Sequence, residues 1–357
     1  MTAIEWALKS VGTRAGGAMS PIPPPESEFL PFQPRFPWRG CDAQTLRNFL
    51  KGPRPTALER AGERLTFLTP DGTGDRLIGA LSPPNGPAAG KPLVILIHGL
   101  SGCEESPYML ESARYFATIG HPVLRLNLRG SVPTQPHCIA HYHAGCDEDL
   151  AVVLDQLLDR PEAADGIILM GFSLGANILL KFLGARGVDY PIRAAITVSA
   201  PIDLAATAER LLQPRNRLYH AWILRHMKRD ALAARALLPR EARAIRAART
   251  IYEFDDRVVA PRNGFANAQD YYRRCSATRF LGEVRVPTLV IHSLDDPWIP
   301  APGYLDLNWA SNPFLTLLLT ERGGHVGFHD AKGAWHNRSA GLFLRQPAFE
   351  TGAELRG

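Results

Sequence analysis

Apolar positions along this chain fall into short unbroken runs separated by longer periodic stretches. Leu93-Val94-Ile95-Leu96-Ile97, His121 to Leu126, Ile167 to Met170, Arg193 to Ser199, Thr288 to His292 and Phe314 to Leu319 read as strands, the unbroken runs as strands covered on both faces. Between them, Asp147 to Leu158 sets Leu150, Val153, Leu154, Leu157 and Leu158 at helical spacing. Ser106-Pro107 offers an N-cap and a first-turn proline, and Gly120 a stop, for a helix between them. Further helices are expected over Ala176 to Leu183, after Pro302, and from about Gly333 to Phe343. Glu63 to Thr69 and Arg76 to Leu81 flank the turn residues Asp71-Gly72-Thr73-Gly74 and predict a hairpin.

Strand–helix alternation this regular predicts an α/β fold, a mainly parallel sheet with helices on both faces. The rhythm breaks from about Ile202 to Thr278, which is helical in pattern, rich in Ala, Leu and Arg, and free of strand signals. An insertion there lies over the carboxyl edges of the strands, where α/β ligands bind, and is read as a cap or lid. Residues 1–55 are rich in proline and predict an extended arm, partly disordered, with Phe29, Phe32, Phe36 and Trp38 packing part of it on the main domain. The expected organisation is therefore an arm over 1–55, a core over 56–201 and 279–357, and a helical cap over 202–278, inserted after the sixth strand.

With 357 residues, 45% of them hydrophobic and 21% charged, the chain has the composition of an ordinary globular protein. Its formal charge of +5 is unevenly spread, for Asp203 to Arg279 holds sixteen Lys and Arg against eight Asp and Glu. That surplus fits a solvated arginine-rich helical face, the favoured reading, or a transient contact with a membrane surface or an acidic substrate. No nucleic-acid motif accompanies it, so no nucleic-acid partner is expected. The five cysteines are scattered and odd in number, as suits a reducing compartment. Glu5 and Lys9 interrupt the only hydrophobic stretch near the start, and runs such as Leu93 to Ile97 are too short to span a bilayer. A cytoplasmic location is expected. Oligomeric state is not read from these features.

Gly171-Phe172-Ser173-Leu174-Gly175 joins a strand run to a helical pattern, the context that a G-x-S-x-G nucleophile turn requires. The glycines permit a strained backbone at Ser173, which lifts its hydroxyl above the sheet edge at a helix N-terminus. A serine hydroxyl needs a base, itself oriented by an acid, and this turn predicts the chain order Ser, acid, His. His325, in Gly323-Gly324-His325-Val326-Gly327, follows one late strand, and Asp295-Asp296-Pro297 follows another. His325 is preferred over His329, which lacks the glycine setting. Asp296 is preferred over Asp295, which is expected to hold loop amides instead. The amides of Leu174 and Leu100 are candidates for an oxyanion hole, with His98 holding the Leu100 loop. His137, Cys138, His141, His143 and Cys146 are dense, but their spacing fits no metal motif, so a polar loop near the pocket rim is expected.

Several of these stretches resemble one family closely. His98-Gly99-Leu100-Ser101-Gly102, Glu105-Ser106-Pro107-Tyr108, Asn127-Leu128-Arg129-Gly130, Tyr142-His143-Ala144-Gly145 and Gly171 to Asn177 are similar to the YheT-like branch of α/β-hydrolases. Asp255, Gly264-Phe265, Asp270-Tyr271-Tyr272, Ser276, Pro287 and Asp295-Asp296 resemble a second signature of that branch, so that the likeness runs from about Phe36 to Phe343. It implies an α/β-hydrolase fold and a carboxylic-ester hydrolase, with Ser173 as nucleophile, Asp296 as acid and His325 as base. Relatives act on short-chain esters, monoacylglycerols or phospholipids, so the expected partner is a small-molecule ester or lipid. A triad of this kind requires neither cofactor nor metal. Acyl transfer to an alcohol by the same triad is the alternative, followed by a non-catalytic binding protein on the same fold. A histidine base works only unprotonated, so turnover is expected to fall on acidification.

Overall fold

Strands β1 (Glu63–Leu68), β2 (Arg76–Ser82), β3 (Leu93–Ile97), β4 (Val123–Asn127), β5 (Ile167–Phe172), β6 (Ile192–Val198), β7 (Thr288–Ser293) and β8 (Leu315–Thr320) form one sheet. Their spatial order is β1-β2-β4-β3-β5-β6-β7-β8. β1 with β2 and β2 with β4 are antiparallel, and every later pair is parallel. The computed structural model describes residues 29–60, 62–86 and 90–345.

The pleat explains the unbroken apolar runs. Leu93, Ile95 and Ile97 of β3 face one core, and Val94 and Leu96 face the other. The first core is closed by helices α3 (Asp147–Leu157) and α4 (Leu174–Arg186), the second by α2 (Pro107–Thr118) and α9 (Trp335–Phe343). At the edge, β1 buries only alternate positions, which is why its sequence alternates. Arg125 and Asn127 are the polar residues inside β4, and the two terminal nitrogens of Arg125 donate to the carbonyls of Glu104 and Glu59 at 3.2 and 3.1 Å.

Between β6 and β7 the chain runs through α5 (Leu204–Leu212), α6 (Arg217–Leu232), α7 (Pro239–Ala247), a helical turn at Ile251–Phe254 that widens into a π-turn over Asp255–Val259, and α8 (Ala268–Cys275). No strand interrupts this stretch. Leu224, Met227, Ile245, Ile251, Phe254 and Val258 bury one another in a cluster of their own, separate from the two cores of the sheet. No helix among the described residues is long and apolar enough to cross a membrane.

Two local readings differ from expectation. His329–Asp330 and Gly333–Ala334 form a two-stranded ladder where no strand was expected. More consequential is helix α1 (Cys41–Lys51), in a stretch expected to be extended. The prolines cluster at 31–37 and 53–55, whereas Cys41–Lys51 contains none and is bounded by Gly40 and Gly52. Local helix propensity there is unopposed, and tertiary bonds complete it. Gln44 is fully buried, accepts from the His329 amide at 2.8 Å and donates to the His329 carbonyl at 2.8 Å. Phe32 packs on Phe328 and Trp335, while Phe36 stays exposed. The disorder expected of the arm falls on residues 1–28, outside the described residues.

Replacing Gln44 with leucine keeps the volume but strips the His329 amide of its partner. Urea unfolding should show a loss of about 1–3 kcal/mol, the cost of one unsatisfied buried donor.

Candidate active site

The turn from β5 into α4 puts Ser173 at φ 49° and ψ −121°, a left-handed conformation at a residue with a side chain. Its glycine neighbours are required by close approach. A Cβ on Gly175 would sit 2.4 Å from the His98 carbonyl oxygen, and one on Gly171 would sit 2.7 Å from that of Gly175. Gly99 presses on the turn from β3, where a Cβ would come within 3.0 Å of the Ser173 Cβ.

Ser173, Asp296 and His325 follow β5, β7 and β8 at the carboxyl end of the sheet, and their side chains meet. His325 Nε2 is 2.9 Å from Ser173 Oγ, and His325 Nδ1 is 2.9 Å from Asp296 Oδ2. A carboxylate at Nδ1 assigns the proton to that nitrogen and leaves the Nε2 lone pair facing the hydroxyl. Asp296 Oδ1 accepts from the amides of Trp298 and Ile299 at 2.8 and 3.0 Å. Burial opposes ionisation of Asp296, but the adjacent His325 and these amides outweigh it and hold its pKa below the ordinary carboxylate value. Asp295 turns elsewhere and accepts from Ser293 Oγ at 2.6 Å and from the Gly324 amide at 2.9 Å. His329 is also removed from Ser173, because Arg47 donates to its Nδ1 at 2.7 Å and its Nε2 donates to Asn48 at 2.8 Å.

On the β3 loop, the amides of Gly99, Ser101 and Gly102 are engaged by Tyr108 Oη, Tyr142 Oη and the Gly99 carbonyl. Among the described residues the Leu100 amide has no such acceptor, and neither has that of Leu174 at the first position of α4. His98 donates from Nδ1 to the Gly99 carbonyl at 2.7 Å and accepts the Leu128 amide at Nε2 at 3.0 Å. Burial pushes its pKa down to about 4, so it stays neutral and holds the loop.

Sequence reasoning missed the groups that brace this geometry. Thr45 Oγ1 accepts the His325 amide at 2.8 Å, Asn48 donates to the Val326 carbonyl at 2.7 Å, and Ser199 accepts the Val326 amide at 3.1 Å. Thr45 and Asn48 lie three residues apart on one face of α1, a spacing that becomes readable once α1 is read as a helix. The Trp298 ring covers the His325 ring at 4.2 Å between centroids.

A cavity of about 220 Å³ runs from Ser173 and His325 into the insertion. Its wall is chiefly apolar, with Leu204, Leu211, Ile223, Met227, Phe254 and Val258, and His141 and His143 line it as well. His137 is exposed, Cys138 Sγ faces the Arg76 carbonyl at 3.3 Å, and the His143 amide faces Cys146 Sγ at 3.0 Å. No three His, Cys, Asp or Glu side chains among the described residues are grouped to hold a metal ion. Asp255, also on the wall, is buried on the π-turn and accepts from Tyr272 Oη at 2.6 Å. Burial raises its pKa to about 7 against the pull of that hydrogen bond.

The sequence profile of the α/β hydrolase fold matches residues 92–332. Over 252 residues the chain is 36% identical to YheT of Escherichia coli (strain K12), named as a candidate esterase, covering 67% of this chain and 71% of that one. It is 30% identical over 271 residues to the monoacylglycerol lipase of Saccharomyces cerevisiae, covering 71% of this chain but 59% of the yeast protein. Among solved structures, an esterase of Pyrococcus furiosus superposes with a TM-score of 0.54 at 19% identity, over 82% of this chain and 96% of that one. That likeness speaks to the fold alone.

An acid whose folded pKa stands above its unfolded value binds more protons folded than unfolded, so it lowers stability as pH rises through that interval. For Asp255 the interval runs from the ordinary carboxylate value of 3.8 to about 7. Asp255→Asn keeps the acceptor for Tyr272 and removes the titration. Urea unfolding across pH should therefore show the variant gaining on the parent between these limits and level above them.

Proposed function

The chain belongs to the α/β hydrolase fold family, and from that premise we propose that it is a serine esterase or lipase that cleaves carboxylic esters through an acyl-enzyme on Ser173. The observation that carries the reading is the unbroken line Ser173 Oγ, His325 Nε2, His325 Nδ1, Asp296 Oδ2, with 2.9 Å at each contact. His325 takes the hydroxyl proton as Ser173 attacks the acyl carbon, and Asp296 stabilises the imidazolium that forms. The Leu100 and Leu174 amides, both unengaged, donate to the oxyanion. His325 then gives its proton to the leaving alkoxide. In the second half a water, deprotonated by His325, attacks the acyl carbon and the Ser173 oxygen leaves with the proton.

The proposed substrate is a small-molecule ester or lipid whose hydrocarbon part occupies the apolar cavity, with residues 202–278 as a cap over a core formed by 56–201 and 279–357. The relatives named as esterase and monoacylglycerol lipase support this class. Acyl transfer would use the same groups with an alcohol in place of water, and product analysis with competing alcohols separates the two.

Ser173→Ala should lower kcat on a nitrophenyl ester by at least about 10⁴-fold and abolish labelling by a fluorophosphonate, with the far-UV spectrum unchanged. Retained turnover would sink the assignment. Asp296→Asn should cost about 10³- to 10⁴-fold in kcat, because the amide favours the wrong tautomer of His325. Asp295→Asn keeps an oxygen for its two donors and should cost about tenfold or less. The reverse order would move the acid role to Asp295.

A further inference from the structure

We propose that the mouth of the cavity is a docking face for an anionic lipid surface, formed by the outer sides of α6 and α7 together with α1. The proposal rests on the hydrolase reading only for what passes through the mouth, since docking itself needs no catalysis.

The first observation is an apolar rim. Phe49 of α1 and Trp222 of α6 pack edge to face, 5.2 Å between centroids, and both line the cavity. Both are also open to solvent, at 55% and 40% exposure, so they stand at the boundary between cavity and outside. Leu218 lies one turn before Trp222 on the same face of α6 at 81% exposure, and Leu46 lies three residues before Phe49 on the same face of α1 at 41%. Asp42 of α1 ties the two helices into one surface by accepting from Arg215 at 2.9 Å and from Tyr219 Oη at 2.9 Å. Isolated exposed leucines need no explanation, but four large apolar side chains around one opening do.

The second observation is charge. Arg217, Arg225, Arg240, Arg243 and Arg246 are exposed on α6 and α7, and none forms an ion pair among the described residues. Of the acids on or against these helices, Asp42 pairs with Arg215, Asp230 with Arg229 and Glu241 with Arg262, while exposed Glu209 of α5 is in no ion pair among the described residues and leaves the arginines in clear excess. Arg217 and Arg225 flank Leu218 and Trp222 on α6 itself.

Cations interleaved with large apolar side chains fit the headgroup layer of a membrane, where the leucines and aromatics reach the acyl boundary while the arginines meet anionic lipid. A soluble polyanion would satisfy the arginines and leave Leu218, Leu46 and Phe49 in water. Geometry favours the lipid surface again, because an ester carbonyl at that boundary would lie opposite the opening that leads to Ser173.

The test uses full-length protein carrying Ser173→Ala, so that docking is read without turnover, and vesicles of phosphatidylcholine with or without about one third phosphatidylglycerol. Sedimentation should show binding to the anionic vesicles at least about tenfold stronger than to neutral ones, weakening with added salt. Leu218→Asp combined with Arg225→Glu and Arg243→Glu should reduce that binding about tenfold or more. None of the three residues lines the cavity. In the catalytic chain the same triple variant should leave kcat/KM for a short soluble ester within about twofold while lowering turnover of a vesicle-embedded ester. Absence of vesicle binding, or equal binding by the triple variant, would overturn the proposal. So would salt-sensitive capture by heparin in place of vesicles, or a lipid-free dimer in sedimentation velocity that the triple variant dissociates, which would assign the face to a second copy. A chain inactive on every ester that still docks would overturn the hydrolase reading and leave this one standing.

Discussion

The backbone of Ser173 is held where a residue with a Cβ rarely goes, at a cost of about 1–3 kcal/mol. Hydrogen bonds on both sides of the residue offset that cost. Its amide donates to the Val198 carbonyl at 2.9 Å, which ties the turn to β6, and its carbonyl accepts from Ala176 and Asn177 at 2.9 and 3.1 Å, which starts α4. The turn also has to fit a tight space, since the helix N-terminus lies against the carbonyls of Ile97 and His98 and leaves no room for a side chain at Gly175. Three adjacent parallel strands thus force one hydroxyl out above the sheet. Ser173 and the β3 loop that faces it are products of the same packing, because Gly99 lies so near Ser173 that a Cβ on it would come within 3.0 Å of the Ser173 Cβ.

His325 is placed with comparable constraint by less regular means. The loop after β8 contains Val326 and Phe328 at φ 53° and 51°, two more left-handed residues with side chains. No glycine pattern accounts for those positions. They are held from outside the loop, by Thr45 and Asn48 of α1, by Ser199 after β6, and by Asp295 through the Gly324 amide. A helix near the start of the chain therefore positions a ring near its end, which makes the arm part of the site's geometry and not an appendage to the core.

This division of labour explains what could be read from the chain and what could not. The strands of the core were legible because burial on both faces leaves an unbroken apolar run, and the turn at Ser173 was legible because its glycines must sit at fixed offsets. Chain order then pointed to an acid and a histidine on later loops. Helix α1 was not legible, because prolines on both sides dominated the composition of a segment whose own eleven residues contain none. Neither were the roles of Tyr108 and Tyr142, whose hydroxyls accept amides of the β3 loop across 9 and 41 residues. Such contacts depend on which loops are adjacent in space, and a tyrosine does not announce them. Asp255 is the hardest case, since an acid in a charged helical segment reads as solvated and only the packed insertion shows that it is buried.

The insertion is fastened to the core unevenly, and the fastening explains the second group of residues that marked the family likeness. Asn177, fully buried one turn after Ser173, donates to the carbonyls of Ala144 at 3.1 Å and Cys275 at 2.9 Å and accepts the Ala277 amide at 3.0 Å. Tyr271 joins the same node by accepting the Ala144 amide at 2.9 Å, and Tyr272 carries it on to Asp255. One amide side chain thus links α4, the 142–145 loop and the end of α8. Each of these groups is buried, so each bond lost would leave a polar atom unpaired at a cost of about 1–3 kcal/mol. Helices α6 and α7 bury their apolar faces together with Leu211 and the 248–258 segment in a cluster apart from the two cores of the sheet. The wall of the cavity is thus tied by buried polar groups where it meets Ser173, while at the rim the polar ties run between α1 and the α6 segment, through Asp42 to Arg215 and Tyr219. The exposed aromatic side chains Phe49 and Trp222 lie at that end.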